Sequence, residues 1–264
     1  MTIRTCRLML LISLGLSLST IVAWAGDQDR EFHWSGKLAA EQLVQIKGVN
    51  GNIDAEGTSG DQVEVTAEKS GPNADQVKIE VVTSSDGVIV CAIYPHSWGA
   101  GPCTSSWHAS HVNGHDAKVH FIIRMPKNLR FSGQNVNGDV NANGLGRAVR
   151  AESVNGSVRV STTSWADAET VNGSIRASLG SSDWKGTLSF KSVNGSVVLS
   201  LPDDLSADVS FKSVNGNISS DFPITVSGNF IGHSAKGRIG NGGRELLIET
   251  VNGSVELKKS GGSV

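Results

Sequence analysis

Beyond its first 25 residues the chain has no stretch apolar enough to cross a bilayer as a helix, which takes about 20 such residues. It also lacks a strong charge of either sign, with 23 Lys and Arg against 25 Asp and Glu and a formal net charge of −2. That balance argues against nucleic acid or an anionic membrane surface as the main partner. Cysteine is scarce, and of the three only Cys91 and Cys103 follow the N-terminal segment. No nucleophile, base and orienter stand at a recognisable catalytic spacing. There is no known zinc signature, and the Gly-Gly-x-Gly-x-Asp nonapeptide of calcium-binding β-rolls is missing.

What the N-terminus does hold is an export pattern. Arg4 and Arg7 precede an apolar run from Leu8 to Val22, and Ala23-Trp24-Ala25 places small residues where a signal peptidase reads. Cys6 lies ahead of the apolar run, so it is not the acylated cysteine of a lipoprotein signal and leaves with the peptide. Cleavage after Ala25 removes Arg4 and Arg7 and gives a periplasmic or extracellular product with a formal charge of −4. In such a compartment Cys91 and Cys103 are expected to be bonded rather than free. Their bond would pin the Gly- and Pro-rich segment between them, with Cα atoms within about 7 Å.

The most informative feature is a repeat. Copies of Val-Asn-Gly begin at Val49, Val136, Val154, Val171, Val193, Val214 and Val251, and a degenerate copy, Ala235-Lys236-Gly237-Arg238-Ile239, fills the one long gap. From Val136 the starts are 18, 17, 22, 21, 21 and 16 residues apart, the period of a stacked architecture. Upstream apolar residues sit five and three positions before the Val in six of the copies, as in Val149 and Ala151 or Leu188 and Phe190. A step of three within a period of two swaps faces, so the chain is expected to turn a corner just before each Val-Asn-Gly. Val193, Gly195, Val197, Leu199 and Leu201 then share the inner face, with Val214 inward as well, and Asn194, Ser196, Val198 and Ser200 point out. A run of Asn-Gly hairpins is the alternative, and it predicts antiparallel pairing across Asn194-Gly195.

One unit buries too few apolar side chains to offset the entropy of ordering its own backbone, so units must stack. The expected fold is all-β, a β-solenoid of Val-Asn-Gly rungs. In the stack Asn137, Asn155, Asn172, Asn194, Asn215, Lys236 and Asn252 would form one column, bonded along its length as an Asn ladder. The residues before each Val, namely Asn135, Ser153, Thr170, Ser192, Ser213, Ser234 and Thr250, would form a second polar column. The chain divides into a signal peptide (1–25), N-terminal strands acting as a cap (26–130) and solenoid repeats (131–264), the last two forming one elongated domain. A loop rich in Gly, Ser, Trp and His, residues 94–117, interrupts the cap and holds His96, His108, His111 and His115.

These residues resemble the bacterial putative-adhesin family of secreted β-strand-repeat proteins. The resemblance rests on the reiterated Ser-Val-Asn-Gly-Ser-Val units, the connector Leu201-Pro202-Asp203-Asp204-Leu205-Ser206-Ala207 and the strand-closing Met125-Pro126-Lys127. It covers roughly Gln45 to Leu257. It implies a right-handed β-helix-like fold in the cell envelope and brings no catalytic residues, cofactor or metal with it.

Three classes of function follow. An enzyme would use the charged column two residues before each Val, Gln134, Glu152, Glu169, Lys191, Lys212, His233 and Glu249, where Glu152 and Glu169 on adjacent rungs suit a carboxylate pair acting on polysaccharide. A metal module would use His108, His111 and His115 with Cys91 or Cys103. The third class is a non-catalytic exported envelope protein, a scaffold or adhesin-like binding surface for a glycan or protein partner. This is the expected function, with no catalytic, cofactor or metal site and no cofactor. N-terminal sequencing of the protein isolated from its source compartment should begin at Gly26, and a product that retains Met1 would refute the export reading.

Overall fold

The computed structural model describes residues 30–95, 103–104, 116–226 and 234–260. The leader residues, His96, His108, His111, His115 and His233 lie outside the described residues. The fold is all-β: a 10-stranded and an 11-stranded sheet face each other, and one short 3-10 turn, Ala74–Gln76, is the only helical element among the described residues.

Each repeat is one strand of the larger sheet, a corner, and one strand of the smaller sheet. Val149–Asn155 and Val158–Thr162 form one rung, Ala166–Asn172 and Ile175–Leu179 the next, and Thr187–Asn194 and Val197–Leu201 the one after. Neighbouring rungs pair in parallel and in register, Asn155 opposite Asn172 and Asn172 opposite Asn194. The hairpin alternative is thereby excluded. Alternation sends Val149, Ala151, Val158 and Val160 into the space between the sheets, where each is at most 3% exposed.

The corner does not fall where the sequence reading placed it. The strand runs straight through the repeat Val to the Asn, and the chain turns at Gly-Ser afterwards. Positions five, three and one before the Val all point inward, so the buried series is Val149, Ala151, Ser153. From Val154 onward the Val itself is on the outside: Val193 is 39% and Val214 45% exposed, whereas Val197 is fully buried. The assignment of Val193 and Val214 to the core is therefore corrected, and the second polar column, Ser153, Thr170, Ser192, Ser213 and Thr250, proves to be buried. A hydroxyl that donates a hydrogen bond is inexpensive to bury.

Rung order also departs from sequence order. The last strands, Glu245–Asn252 and Val255–Lys259, insert between the rung of Thr187–Asn194 and that of Ala207–Asn215 with Ile218–Ser220. The degenerate copy is not a rung at all. Ser234–Ile239 runs antiparallel to Ala207–Asn215, with Lys236 opposite Ser210, and Ile224–Val226 follows it as the edge strand of the larger sheet. Lys236 consequently leaves the Asn column.

At the opposite end the first copy supplies a rung from Leu43–Lys47 and Ile53–Thr58. Gly87–Ile93 and Lys118–Pro126 continue the two sheets in parallel beyond it. Antiparallel strands follow: Lys78–Ser84 on one sheet, Val63–Ser70 and then Glu31–Gly36 on the other. Residues 94–117 join Gly87–Ile93 to Lys118–Pro126. Cys91 and Cys103 are bonded there, with Cα atoms 5.8 Å apart.

The inward and outward assignments are tested by two substitutions four residues apart. Val197→Asp buries an unpaired charge between the sheets and should cost roughly 4 kcal/mol or more. Val193→Asp replaces a half-exposed side chain and should stay within about 1 kcal/mol. Equal losses in urea melts of the two variants would contradict the faces described above.

Candidate functional site

The outer surface of the stack carries three parallel columns, each generated by one position of the repeat. The first is the Asn ladder. From one end, Asn137 donates its amide to Asn50 at 2.7 Å, and Asn155, Asn172, Asn194, Asn252 and Asn215 each donate to the carbonyl of the rung before at 2.8 Å. Seven side chains thus form one continuous chain of hydrogen bonds. Neutral amides can do this because each carries both donor and acceptor.

The ladder is held by an inner row. Ser153 donates its hydroxyl to the Gly138 carbonyl at 2.9 Å, Thr170 to Gly156 at 2.7 Å, Ser192 to Gly173 at 2.8 Å and Thr250 to Gly195 at 2.9 Å. Asn135 takes the same role, donating to the Gly51 carbonyl at 2.5 Å, and its own Oδ1 is the one buried polar side-chain atom without a partner among the described residues. A side-chain carbon on Gly156 would lie 2.0 Å from the Gly138 carbonyl oxygen, and the same closeness recurs at Gly173 and Gly195. Glycine stands at these corners because backbone stacks on backbone.

Beside the ladder runs the column of exposed valines, Val154, Val171, Val193, Val251 and Val214. Beyond it lies the charged column, whose spatial order is Lys47, Gln134, Glu152, Glu169, Lys191, Glu249, Lys212. The structure does bring Glu152 and Glu169 together as the sequence suggested. Yet both Glu152 oxygens are engaged: Arg150 pairs with one, and Gln134 donates to the other at 2.9 Å. Insertion of the C-terminal strands places Glu249 between Lys191 and Lys212, with Lys212 Nζ 2.5 Å from its carboxylate.

A cleft of about 340 Å³ opens over Lys47, Gln134, Asn135, Arg150 and Glu152. Burial lowers the Lys47 ammonium from its ordinary range, and the Glu152 carboxylate partly restores it. A neighbouring hollow of about 230 Å³ is lined by Arg150, Glu152, Asp167, Glu169, Ser189 and Lys191. Burial raises the Asp167 carboxyl, and the Glu152 charge adds to the shift; the Ser189 N–H at 2.8 Å and Arg150 oppose it. Asp139, under Arg159, goes the other way. Burial would raise it, but hydrogen bonds from Arg159 and the Ser157 N–H, both 2.8 Å, hold it below the usual carboxylate range.

Of the proposed metal ligands, Cys91 and Cys103 spend both sulfurs on their disulfide and are not thiolates. The sequence reading missed the buried hydroxyl row. Its signal was present, since strict alternation from Val149 and Ala151 lands on Ser153.

These features define a class, a stack of parallel two-strand rungs tied together by amide, hydroxyl and backbone columns. The chain belongs to the Toastrack DUF4097 family, whose profile matches residues 35–258. Two solved structures are similar at low identity. A putative cell adhesion protein from Clostridium sporogenes is 12% identical with a TM-score of 0.48, over 88% of this chain and 100% of that one. A putative adhesin from Bacteroides fragilis is 12% identical with a TM-score of 0.30, over 86% of this chain and 97% of that one. No protein of curated function matches the sequence.

Asp167→Asn tests the electrostatics. A carboxyl raised by folding weakens the fold at every pH where it is ionised, and that penalty disappears once pH falls below its unfolded value. The Asn carbonyl keeps the Ser189 hydrogen bond without the charge. The variant should be more stable than the parent at pH 7, and the advantage should vanish near pH 3 in paired thermal melts. An advantage that persists at low pH would assign the effect to packing.

Proposed function

We propose that this protein is an exported, non-catalytic component of the cell envelope whose stacked face serves as a scaffold and binding surface for an extended partner, a glycan or a polypeptide strand. The observation that carries this reading is the row Val154, Val171, Val193, Val251 and Val214, each 38 to 45% exposed. They repeat at the inter-strand spacing of about 4.8 Å. A continuous apolar line between an amide ladder and a charged column offers a long ligand contacts of two kinds at every rung. Exposed apolar patches rimmed by polar residues mark interaction sites.

Export is supported by the leader sequence and by the Cys91–Cys103 bond. A non-catalytic role is supported by the engagement of Glu152 on both oxygens. Right-handed winding, an N-terminal cap over 26–130 and repeats over 131–264 belong to the same reading. The sheet ends favour the cap, because antiparallel strands there stop the parallel register from continuing.

The test uses residues 26–264 with insoluble cell-wall glycan and with envelope protein fractions in co-sedimentation. Val171→Glu combined with Val193→Glu should abolish binding while leaving the melting temperature nearly unchanged. Glycan shortening that disappears in Glu152→Gln would replace this reading with a polysaccharide-active enzyme. Binding that requires zinc and is lost with His108, His111 and His115 would move the function to the loop of residues 94–117.

A further inference from the structure

Every interior corner of the stack locks the Asn-Gly peptide that forms it. The Gly138 N–H donates to the Asn155 carbonyl at 2.9 Å, Gly156 to Asn172 at 3.0 Å, Gly173 to Asn194 at 3.0 Å and Gly195 to Asn252 at 2.9 Å. The side-chain amide of the same Asn is held on both sides by the ladder. At the first rung Gly51 donates to Asn137 at 2.9 Å.

The corner at Asn215-Gly216 differs. Its rung is the last in the smaller sheet, with Ile218–Ser220 paired to Val255–Lys259 on one side and no strand on the other among the described residues. Gly253 donates to the Asn215 carbonyl at 2.9 Å, but no described rung follows to receive the Gly216 N–H. Asn215 gives its amide to Asn252, and no described side chain donates to its own Oδ1. The exposure changes in step. Ile218 is 36% exposed, whereas its counterparts Val158, Ile175, Val197 and Val255 are fully buried. Gly216 is exposed, whereas the other ladder glycines are not.

We propose that Asn215 is a site of spontaneous deamidation, singled out from the other ladder asparagines because the terminal rung leaves the Gly216 nitrogen unlocked. The nitrogen loses its proton and attacks Cγ of Asn215. The N–Cγ bond forms, the Cγ–Nδ2 bond breaks, and ammonia departs with the proton. Water then opens the five-membered imide: attack at Cγ gives aspartate, and attack at the main-chain carbonyl gives isoaspartate. No electrons are gained or lost. In the interior rungs the same nitrogen is committed to its neighbour, so reaction there waits on local opening of the sheet. The product carries a new negative charge and cannot donate to Asn252, so the ladder shortens from this end.

Timed peptide mapping by mass spectrometry of the folded protein at mildly alkaline pH tests the proposal. Trypsin cuts after Lys191, Lys212 and Lys236, which puts Asn194-Gly195 and Asn215-Gly216 in separate peptides, each with a single Asn-Gly. Asn172-Gly173 lies in a third, between Arg159 and Arg176. Asn215 should convert at least tenfold faster than Asn172 or Asn194, a ratio equivalent to about 1.4 kcal/mol of local opening. In denaturant the three rates should converge, and Asn215→Gln should silence its peptide. Equal rates in the folded protein would overturn the proposal. So would a ratio that survives denaturation, because the cause would then be local sequence rather than the end of the stack.

Discussion

The rest of the structure depends on how closely one corner can approach the next. Where Gly156 sits over Gly138 there is no room for a single side-chain carbon. That contact brings the Asn side chains to hydrogen-bonding distance and puts each corner carbonyl within reach of the buried hydroxyl of the following rung. A larger residue at one corner would spread two rungs and break several bonds at once. The repeat is therefore best understood as a set of mutually dependent positions: glycine for approach, asparagine for the ladder, and serine or threonine for the inner tie.

Corner geometry also explains how a chain with few large aromatic side chains holds two sheets together. Interior positions such as Ala151, Val160, Ala168 and Ala177 are small, and each is at most 3% exposed. Their sheets can approach closely, and the polar row of Ser153, Thr170, Ser192 and Thr250 closes one edge of that space with hydrogen bonds rather than bulk. Buried polar groups of this kind are inexpensive when every one finds its partner. Asn135, whose Oδ1 lacks one among the described residues, marks the rung next to the N-terminal layers.

Because the rungs share one register, a rung need not come from the next segment of sequence. The C-terminal pair of strands sits between two rungs that are consecutive in the chain, with Asn252 accepting from Asn215 and donating to Asn194. That insertion ties the end of the chain into the interior of the stack. It also sets the charge pattern of the outer face, since Glu249 separates Lys191 from Lys212. What is left at the end of the smaller sheet is a single short strand, Ile218–Ser220, with one neighbour among the described residues.

Much of this was legible in the sequence. The period of the Val-Asn-Gly copies carried the all-β stack, the parallel register and the ladder, because identical residues at fixed spacing align only if identical segments lie side by side. Compartment chemistry carried the Cys91–Cys103 bond. Periodicity likewise assigned the interior of each strand, and it failed at the corner, where a preference for apolar cores placed Val193 inside although alternation from Leu188 and Phe190 lands on Ser192. The tertiary structure alone decided the order of the rungs, the removal of Lys236 from the column and the identity of the unlocked corner. The reason is physical: every copy has nearly the same local chemistry, so nothing within a repeat records which neighbour it meets. That choice is made by long-range pairing and by where the chain can reach.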